Sequence, residues 1–249
     1  MHFSFPDTLS EVLARLTEKA KRFGALTLPA ASVASIDHRL SIELTHGSTA
    51  IEGNTLTLRE TQLLIDEGIT PSTSKKLREL NEVTNHNEAL QQIIAWVKAS
   101  EVPSVEKALE LHRIVLKNIE PETAGQFRDA RVMVTGAPLQ PVRPERIEDE
   151  MTEWVRRLAE SSVHPVKMAI EAHYTFVKIH PFFDGNGRTA RLLMNWILLS
   201  AGYPMTVISG EERARYISSI DDADLGNPEA FSSLICECVE RSLDLYLDD

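Results

Sequence analysis

The stretch His180-Pro181-Phe182-Phe183-Asp184-Gly185-Asn186-Gly187-Arg188-Thr189-Ala190-Arg191 decides how the chain is read. It separates an apolar run ending near Ile179 from another that holds Leu192, Leu193, Ile197 and Leu198. Pro181 cannot continue a helical ladder, so the first helix stops there. Gly185 and Gly187 let the backbone turn tightly and come close to a ligand. The second helix then begins with free N–H groups and the positive end of its dipole, a natural anion site. Arg188 and Arg191 are three apart and share a helix face, so both can reach one polyphosphate. Asp184 offers a hard oxygen suited to Mg²⁺ between phosphate oxygens. His180 titrates near neutral pH and can accept a proton from an attacking hydroxyl. Alone, each is ordinary: a helix-ending histidine, a turn, a solvated pair of arginines. Within one loop and one helical turn they form a set for phosphoryl transfer.

Outward from this stretch, apolar residues recur at three- and four-residue steps along most of the chain. Helices are expected from Thr8 to about Phe23, with Leu9, Val12, Leu13 and Leu16 on one side, and from about Val33 to Ile51, where Gly47 weakens the pattern. Thr57-Leu58-Arg59-Glu60 has capping-box spacing, Gly68 stops that helix, and Pro71 opens the next connection. A longer helix runs from about Ser74 to Lys98, and Ser104 caps one ended by Pro121. Four more cover about Arg146–Glu160, Pro165–Ile179, Gly187–Ala201 and Glu229–Leu247. Between Gly125 and Pro144 the texture changes. Arg131-Val132-Met133-Val134-Thr135 is β-prone before Gly136 and three prolines, which predicts a short hairpin or flap. The fold class is all-α with a small β-hairpin flap.

The 249 residues, 43% of them hydrophobic, suit one large domain or one with a short extension. With 37 acidic against 26 basic side chains the net charge is −11, which speaks against an extended nucleic-acid face. No apolar run is long enough for a membrane span. Met1 to Pro6 lacks the basic start and apolar stretch of a secretory signal. Cys236 and Cys238 point to different sides of a helix and read as ordinary thiols, in keeping with a reducing, cytoplasmic setting.

Ser48-Thr49-Ala50-Ile51-Glu52-Gly53-Asn54 is the second informative stretch, a short helix closed by a glycine with Glu52 in its last turn. A carboxylate sits badly at that end of a helix dipole, so Glu52 either faces solvent or has a partner elsewhere.

The His180–Arg191 run matches throughout the signature His-Pro-Phe-x-Asp-Gly-Asn-Gly-Arg-x-x-Arg, and the chain resembles the Fic family from about Glu43 to the last helix. Gly125-Gln126-Phe127-Arg128 and Ala172-His173-Tyr174 belong to the likeness, which is strongest to the core of the metazoan endoplasmic-reticulum enzymes. The resemblance implies a Fic-type helical bundle divided into an N-terminal helical extension (1–45), an inhibitory helix with its stop (46–56) and a catalytic core (57–249). It implies a protein adenylyltransferase that uses ATP and Mg²⁺. His180 would be the general base and Asp184 the Mg²⁺ ligand. Asn186, with the backbone N–H groups of Gly185 and Gly187, would form the anion hole. Arg188 and Arg191 would hold the phosphates, and Tyr216 would help form the adenine pocket. Val132 and Val134 would dock the target, although they could equally just pack the flap. Ser-x-x-x-Glu-Gly, here Ser48 to Gly53, matches the family's inhibitory helix, so Glu52 would pair with Arg191 and exclude the γ-phosphate. Asp224 stands where an asparagine would contact adenine, and the loop lacks the lysine of the Doc-type kinases. His112 and His173 are expected to pack or hydrogen-bond inside helices. The implied partner is a protein with a Ser, Thr or Tyr hydroxyl, the chain itself included, with a homodimer as an available assembly and neither nucleic acid nor membrane. A hydrolase that removes AMP, a binding module with little turnover, and transfer of UMP or phosphocholine stay open as alternatives.

Overall fold

The computed structural model describes residues 5, 9–70, 75–134, 136, 138 and 140–248. The expected helix starts at Thr8 and Ser74, the turn at Pro71, the leader region up to residue 4, Pro6 and the β-prone Thr135 lie outside the described residues. Among the described residues ten α-helices follow in order: α1 Leu9–Gly24, α2 Ala30–Ile51, α3 Leu58–Glu67, α4 Leu77–Lys98, α5 Val105–Val115, α6 Ile147–Glu160, α7 Pro165–Ile179, α8 Asn186–Ser200, α9 Arg213–Asp224 and α10 Glu229–Leu247. Short 3₁₀ turns at Pro144–Arg146 and Gly210–Glu212 lead into α6 and α9. Among the described residues no helix is long and apolar enough to cross a membrane.

The local signals act as their chemistry requires. Thr57 Oγ1 accepts the Glu60 amide at 3.2 Å while Glu60 accepts the Thr57 amide at 2.8 Å, and Gly68 closes α3 at φ 67°. Ser104 caps α5 through the Lys107 amide. That helix ends at Val115, short of Pro121, and Asn118 beyond it takes a left-handed φ of 61°. Leu9, Leu13 and Leu16 of α1 join the main core, where α1 lies against α10.

At the centre α7 lies along α8, and every residue from 188 to 198 is buried. A helix covered on all sides is mostly apolar all round, as the Leu192–Leu198 run is apart from Asn195, whose side chain is bonded to the Thr206 backbone. Trp196 stacks on Trp96 of α4 with centroids 4.7 Å apart, and Trp154 Nε1 donates to the Ala172 carbonyl at 3.0 Å. Each fully buried large side chain is worth about 1.5–3 kcal/mol, so α8 is the least movable element and the loop before it inherits that rigidity. Gly47, the weak point of α2 by sequence, sits where a Cβ would strike the Ile208 carbonyl, so glycine permits the chain to cross there. Cys236 and Cys238 are buried and unpaired on α10, with both thiols pushed up to about 12 by burial.

Two expectations need correction. No strand forms among the described residues of the flap, so the hairpin is absent there. Pro138 and Pro141 lack the N–H donors that a returning strand must supply. Exposure still alternates, with Arg131 and Met133 outside and Val132 and Val134 half-buried. The second correction is α9, which the apolar pattern does not reveal. It buries Tyr216, Ser219 and Ala223, and only one of these is a large apolar residue. Ser209 and Glu212 form a capping box just before it, and that spacing was the available signal.

Candidate active site

Ser48–Asn54 is not a short helix of its own. It is the end of the 22-residue α2, with Glu52 as its C-cap and Gly53 at φ 99°. This end of α2 lies against the start of α8. Arg191 is 1% exposed and fully partnered: Nε donates to Ser48 Oγ at 2.9 Å, Nη2 to the Ser48 carbonyl at 2.8 Å and to Glu52 Oε1 at 2.8 Å, and Nη1 to the Tyr216 hydroxyl at 3.3 Å. The Glu52 carboxylate rests beside Gly187, where any Cβ would collide with it. A carboxylate unfavourable at the C-terminus of α2 is thus placed at the favourable N-terminus of α8.

The loop before α8 is bonded at every turn. His180 caps α7 in the left-handed region, φ 50° and ψ 60°, a conformation that costs a non-glycine residue about 1–3 kcal/mol. Arg128 Nε donates to the His180 carbonyl at 2.7 Å. Phe182 is fully buried and stacks flat on His112 at 3.5 Å. Asn186 clasps the Phe182 backbone, accepting from its amide at 3.0 Å and donating to its carbonyl at 2.8 Å. Gly185 sits at φ 77°, and its Cβ-free face lies against the His112 ring. Gly185 N–H already donates to Asp184 Oδ1 at 2.6 Å. Within the expected anion hole, the Asn186 side chain and the Gly185 amide are therefore spent inside the loop.

Asp184 carries guanidinium groups on both oxygens, Arg188 Nη2 at 3.0 Å and Arg78 Nη2 at 2.6 Å. Burial opposes its charge, but Arg188, the Gly185 amide and Arg78 together hold the carboxyl below its usual range. Among the described residues no group of three or more His, Cys, Asp or Glu side chains could hold a metal ion alone. A single ionised carboxylate fits Mg²⁺ that takes its other ligands from phosphates and water, once the exposed Arg78 gives up its oxygen. Arg188 is 2% exposed, turned to Asp184 and to Glu82 (3.7 Å), and its Nε and Nη1 lack hydrogen-bond partners. It does not line the cavity, so the shared face of Arg188 and Arg191 does not bring both to one space.

That cavity, about 260 Å³, is lined by Glu52, Val134, His180, Asn186, Gly187, Arg191 and Tyr216, with Arg213, Lys178 and Asp224 also on its wall. Burial, then Arg128 and Lys178, pull the His180 imidazole below its ordinary value against the Val177 carbonyl and Glu52. A neutral imidazole at neutral pH can accept a proton. The Tyr216 hydroxyl is engaged by Arg191 and by His173 Nε2 at 2.9 Å, so its ring rather than its hydroxyl faces the space. Asp224 is held by Lys178 at 2.6 Å and by the Tyr174 hydroxyl at 2.9 Å. Val132 lies away from this cavity, in a groove of about 530 Å³ with Arg131, Met133 and Arg143. His173 and His112, with pKa values lowered to about 3 and about 4 by burial, are neutral packing groups.

The sequence reading missed several contributors. Arg78 and Glu82 are one helical turn apart on α4 and complete the charge cluster around Asp184 and Arg188. Arg213 donates to the Ile51 carbonyl at 2.7 Å, gripping the end of α2 beside Glu52. Of these, only the Arg78–Glu82 spacing offered a local signal.

The Fic/DOC family model matches residues 102–198. Protein adenylyltransferase Fic of Drosophila willistoni is 40% identical over 205 residues, 80% of this chain and 40% of that protein. The namesake of Nematostella vectensis is 35% identical over 244 residues, 95% of this chain and 56% of its own length. The chain thus spans about half the length of the curated relatives it matches. The solved structure of Fic-1 from C. elegans superposes with a TM-score of 0.87 at 32% identity, covering 96% of this chain and 71% of the other. On this likeness of sequence and structure, the chain belongs to the Fic/DOC family.

Proposed function

We propose that the chain is a protein adenylyltransferase that moves AMP from ATP to a hydroxyl side chain of a target protein and is held inactive by Glu52. The observation that carries this reading is the 2.8 Å bond from Arg191 to Glu52 within the cavity that His180 also lines. His180, neutral at neutral pH, takes the proton of the attacking hydroxyl. The new bond joins that oxygen to the α-phosphorus, the bond to the bridging oxygen breaks, and pyrophosphate leaves. The free amide of Gly187 and the start of α8 stabilise the oxyanion, and Arg191 binds the terminal phosphate once Glu52 withdraws. Mg²⁺ on Asp184 would neutralise phosphate charge when bound. Arg188 holds that carboxylate in place from outside the cavity. Tyr216 offers its ring to the base. Val134 lines the cavity and Val132 the neighbouring groove, on chain that forms no strand among the described residues, which suits docking of a target backbone. A cytoplasmic setting, a homodimer and modification of the chain itself belong to the same proposal.

AMP removal from a modified target is the second reading. Glu52 stays partly exposed in the cavity and engages Arg191 through one oxygen, which leaves the other to orient a water. The Glu52→Gly protein, incubated with ATP and Mg²⁺ and weighed by mass spectrometry, should carry an added AMP that wild type lacks. An unmodified chain, and no labelled protein on adding cell extract, would defeat the transfer reading. Loss of AMP from a pre-modified protein with wild type alone would favour hydrolysis.

A further inference from the structure

Arg128 is 2% exposed on the connection after α5, and among the described residues none of its bonds goes to a carboxylate. Its guanidinium donates to three carbonyls: His180 at 2.7 Å, Ala130 at 2.9 Å, and Val142. Its amide donates to the Pro181 carbonyl at 2.9 Å. Burial pulls the guanidinium below its ordinary range, and no opposite charge among the described residues offsets it. A buried cation without a counter-ion is costly and persists only where its bonds are all made and something depends on it.

The three carbonyls belong to three different pieces of chain. His180 is the candidate base, held in a left-handed conformation that its side chain does not favour. Ala130 and Val142 are the two ends of the flap, which has no strand ladder of its own among the described residues. A fork with five N–H donors in fixed geometry can join all three, and a lysine cannot.

We propose that Arg128 is a positioning residue that sets the distance between the flap and the imidazole of His180, so that a hydroxyl docked on the flap meets the base. This rests on the transfer reading above. Burial is the main cause that holds His180 below its ordinary value, and the charge of Arg128 adds to it by opposing protonation of the ring. Arg128 itself lines the neighbouring groove, and the charged groups on the cavity that His180 lines are Glu52 of α2, Lys178 of α7, Arg191 of α8, and Arg213, Asp221 and Asp224 of α9. Glu52 opposes Arg128 and Lys178 assists it. Substitution of Arg128 leaves all six in place, so a change in His180 reports on Arg128 itself.

The experiment compares Arg128→Lys and Arg128→Gln, each in the Glu52→Gly background, by three readouts. These are ATP affinity by calorimetry, the rate of AMP self-labelling, and titration of the His180 imidazole by NMR. Both variants should bind ATP within about threefold of the parent. Both should label at least about tenfold more slowly, the scale expected when reacting groups are misplaced. The two then separate. In Arg128→Gln the His180 titration and the acid limb of the rate profile move together to higher pH, while in Arg128→Lys they stay near the parent's. Unchanged titration and rate in Arg128→Gln would overturn the proposal. Loss of ATP binding and of a cooperative melt in both variants would also overturn it, since Arg128 would then only hold the fold. Should the Glu52→Gly parent transfer no AMP, the transfer reading fails by itself, and the His180 titration still decides whether Arg128 acts on the base.

Discussion

Arg188 and Arg191 stand three residues apart on one buried helix, each 2% exposed or less, and their surroundings differ in kind. Arg188 is held by the loop that carries it, through Asp184 four residues away, and by Glu82 of α4. Arg191 is held by Ser48 and Glu52, which lie 143 and 139 residues away at the end of another helix. The first arrangement is local and builds the site. The second is long-range and can open without unfolding the loop, because Ser48 and Tyr216 keep the guanidinium in place when Glu52 leaves. Under the proposed function, two like residues on one element thus divide into scaffold and switch according to where their acceptors sit in the chain.

The largest expected effect lies downstream of both. His180→Ala in the Glu52→Gly background should lower AMP transfer by about 10²–10⁴ without lowering ATP affinity, measured by labelling and calorimetry. Retained transfer would mean that neither arginine serves a base at this position. Acid sharpens the scaffold side. His86 and His173 are held at about 3 and His112 at about 4, each chiefly by burial, against about 6.5 in an unfolded chain. Below about pH 6.5 the unfolded chain takes up protons that the folded chain refuses, so stability falls as pH falls towards 4. Each ring contributes up to about 1.4 kcal/mol per pH unit. Urea midpoints from pH 7 to 4.5 should drop steeply, and a flat profile would refute the neutral burial of these rings.

Arg188→Met should cost about 2 kcal/mol of stability, below the 3–5 typical of a broken buried pair because Asp184 is partly exposed. It should also weaken Mg²⁺-dependent ATP binding, because Asp184 loses its inner support. Thermal melts and calorimetry check both, and a variant as stable as wild type would erase the contrast with Arg191. The smallest effect belongs to Ser48→Ala. It removes one bond to Arg191 and leaves the Ser48 carbonyl, for about 1 kcal/mol and inhibition largely intact, by melting and self-labelling.

What the sequence disclosed follows the same division. Local chemistry was legible: the Thr57–Glu60 box, the Gly68 stop, the Pro181 break and the loop from His180 to Arg191 are written in consecutive residues. Glu52 was legible as a carboxylate at the wrong end of a helix, though only the family resemblance named its partner. The separation of Arg188 from the cavity was hidden, because helical spacing gives a shared face but not the direction of two long side chains. Arg128 was legible only as part of the family likeness and Arg213 not at all, because their acceptors are backbone carbonyls and a carbonyl has no sequence signature. The flap read as a hairpin because Arg131 to Thr135 is β-prone and Gly136 with three prolines follows, while those same prolines remove donors from the arm that would have to pair. α9 was missed because its inner face is mostly small and polar.

The central claim is that Glu52 withholds Arg191 from the terminal phosphate of ATP. It is tested most directly by the ratio of ATP to ADP affinity, measured by calorimetry with Mg²⁺ in wild type and in Glu52→Gly. The substitution should tighten ATP binding at least about tenfold more than ADP binding, because only the terminal phosphate then forms a charge-assisted hydrogen bond with the freed guanidinium. Arg191→Ala should abolish the difference. Equal changes for both nucleotides, or none for either, would contradict the claim.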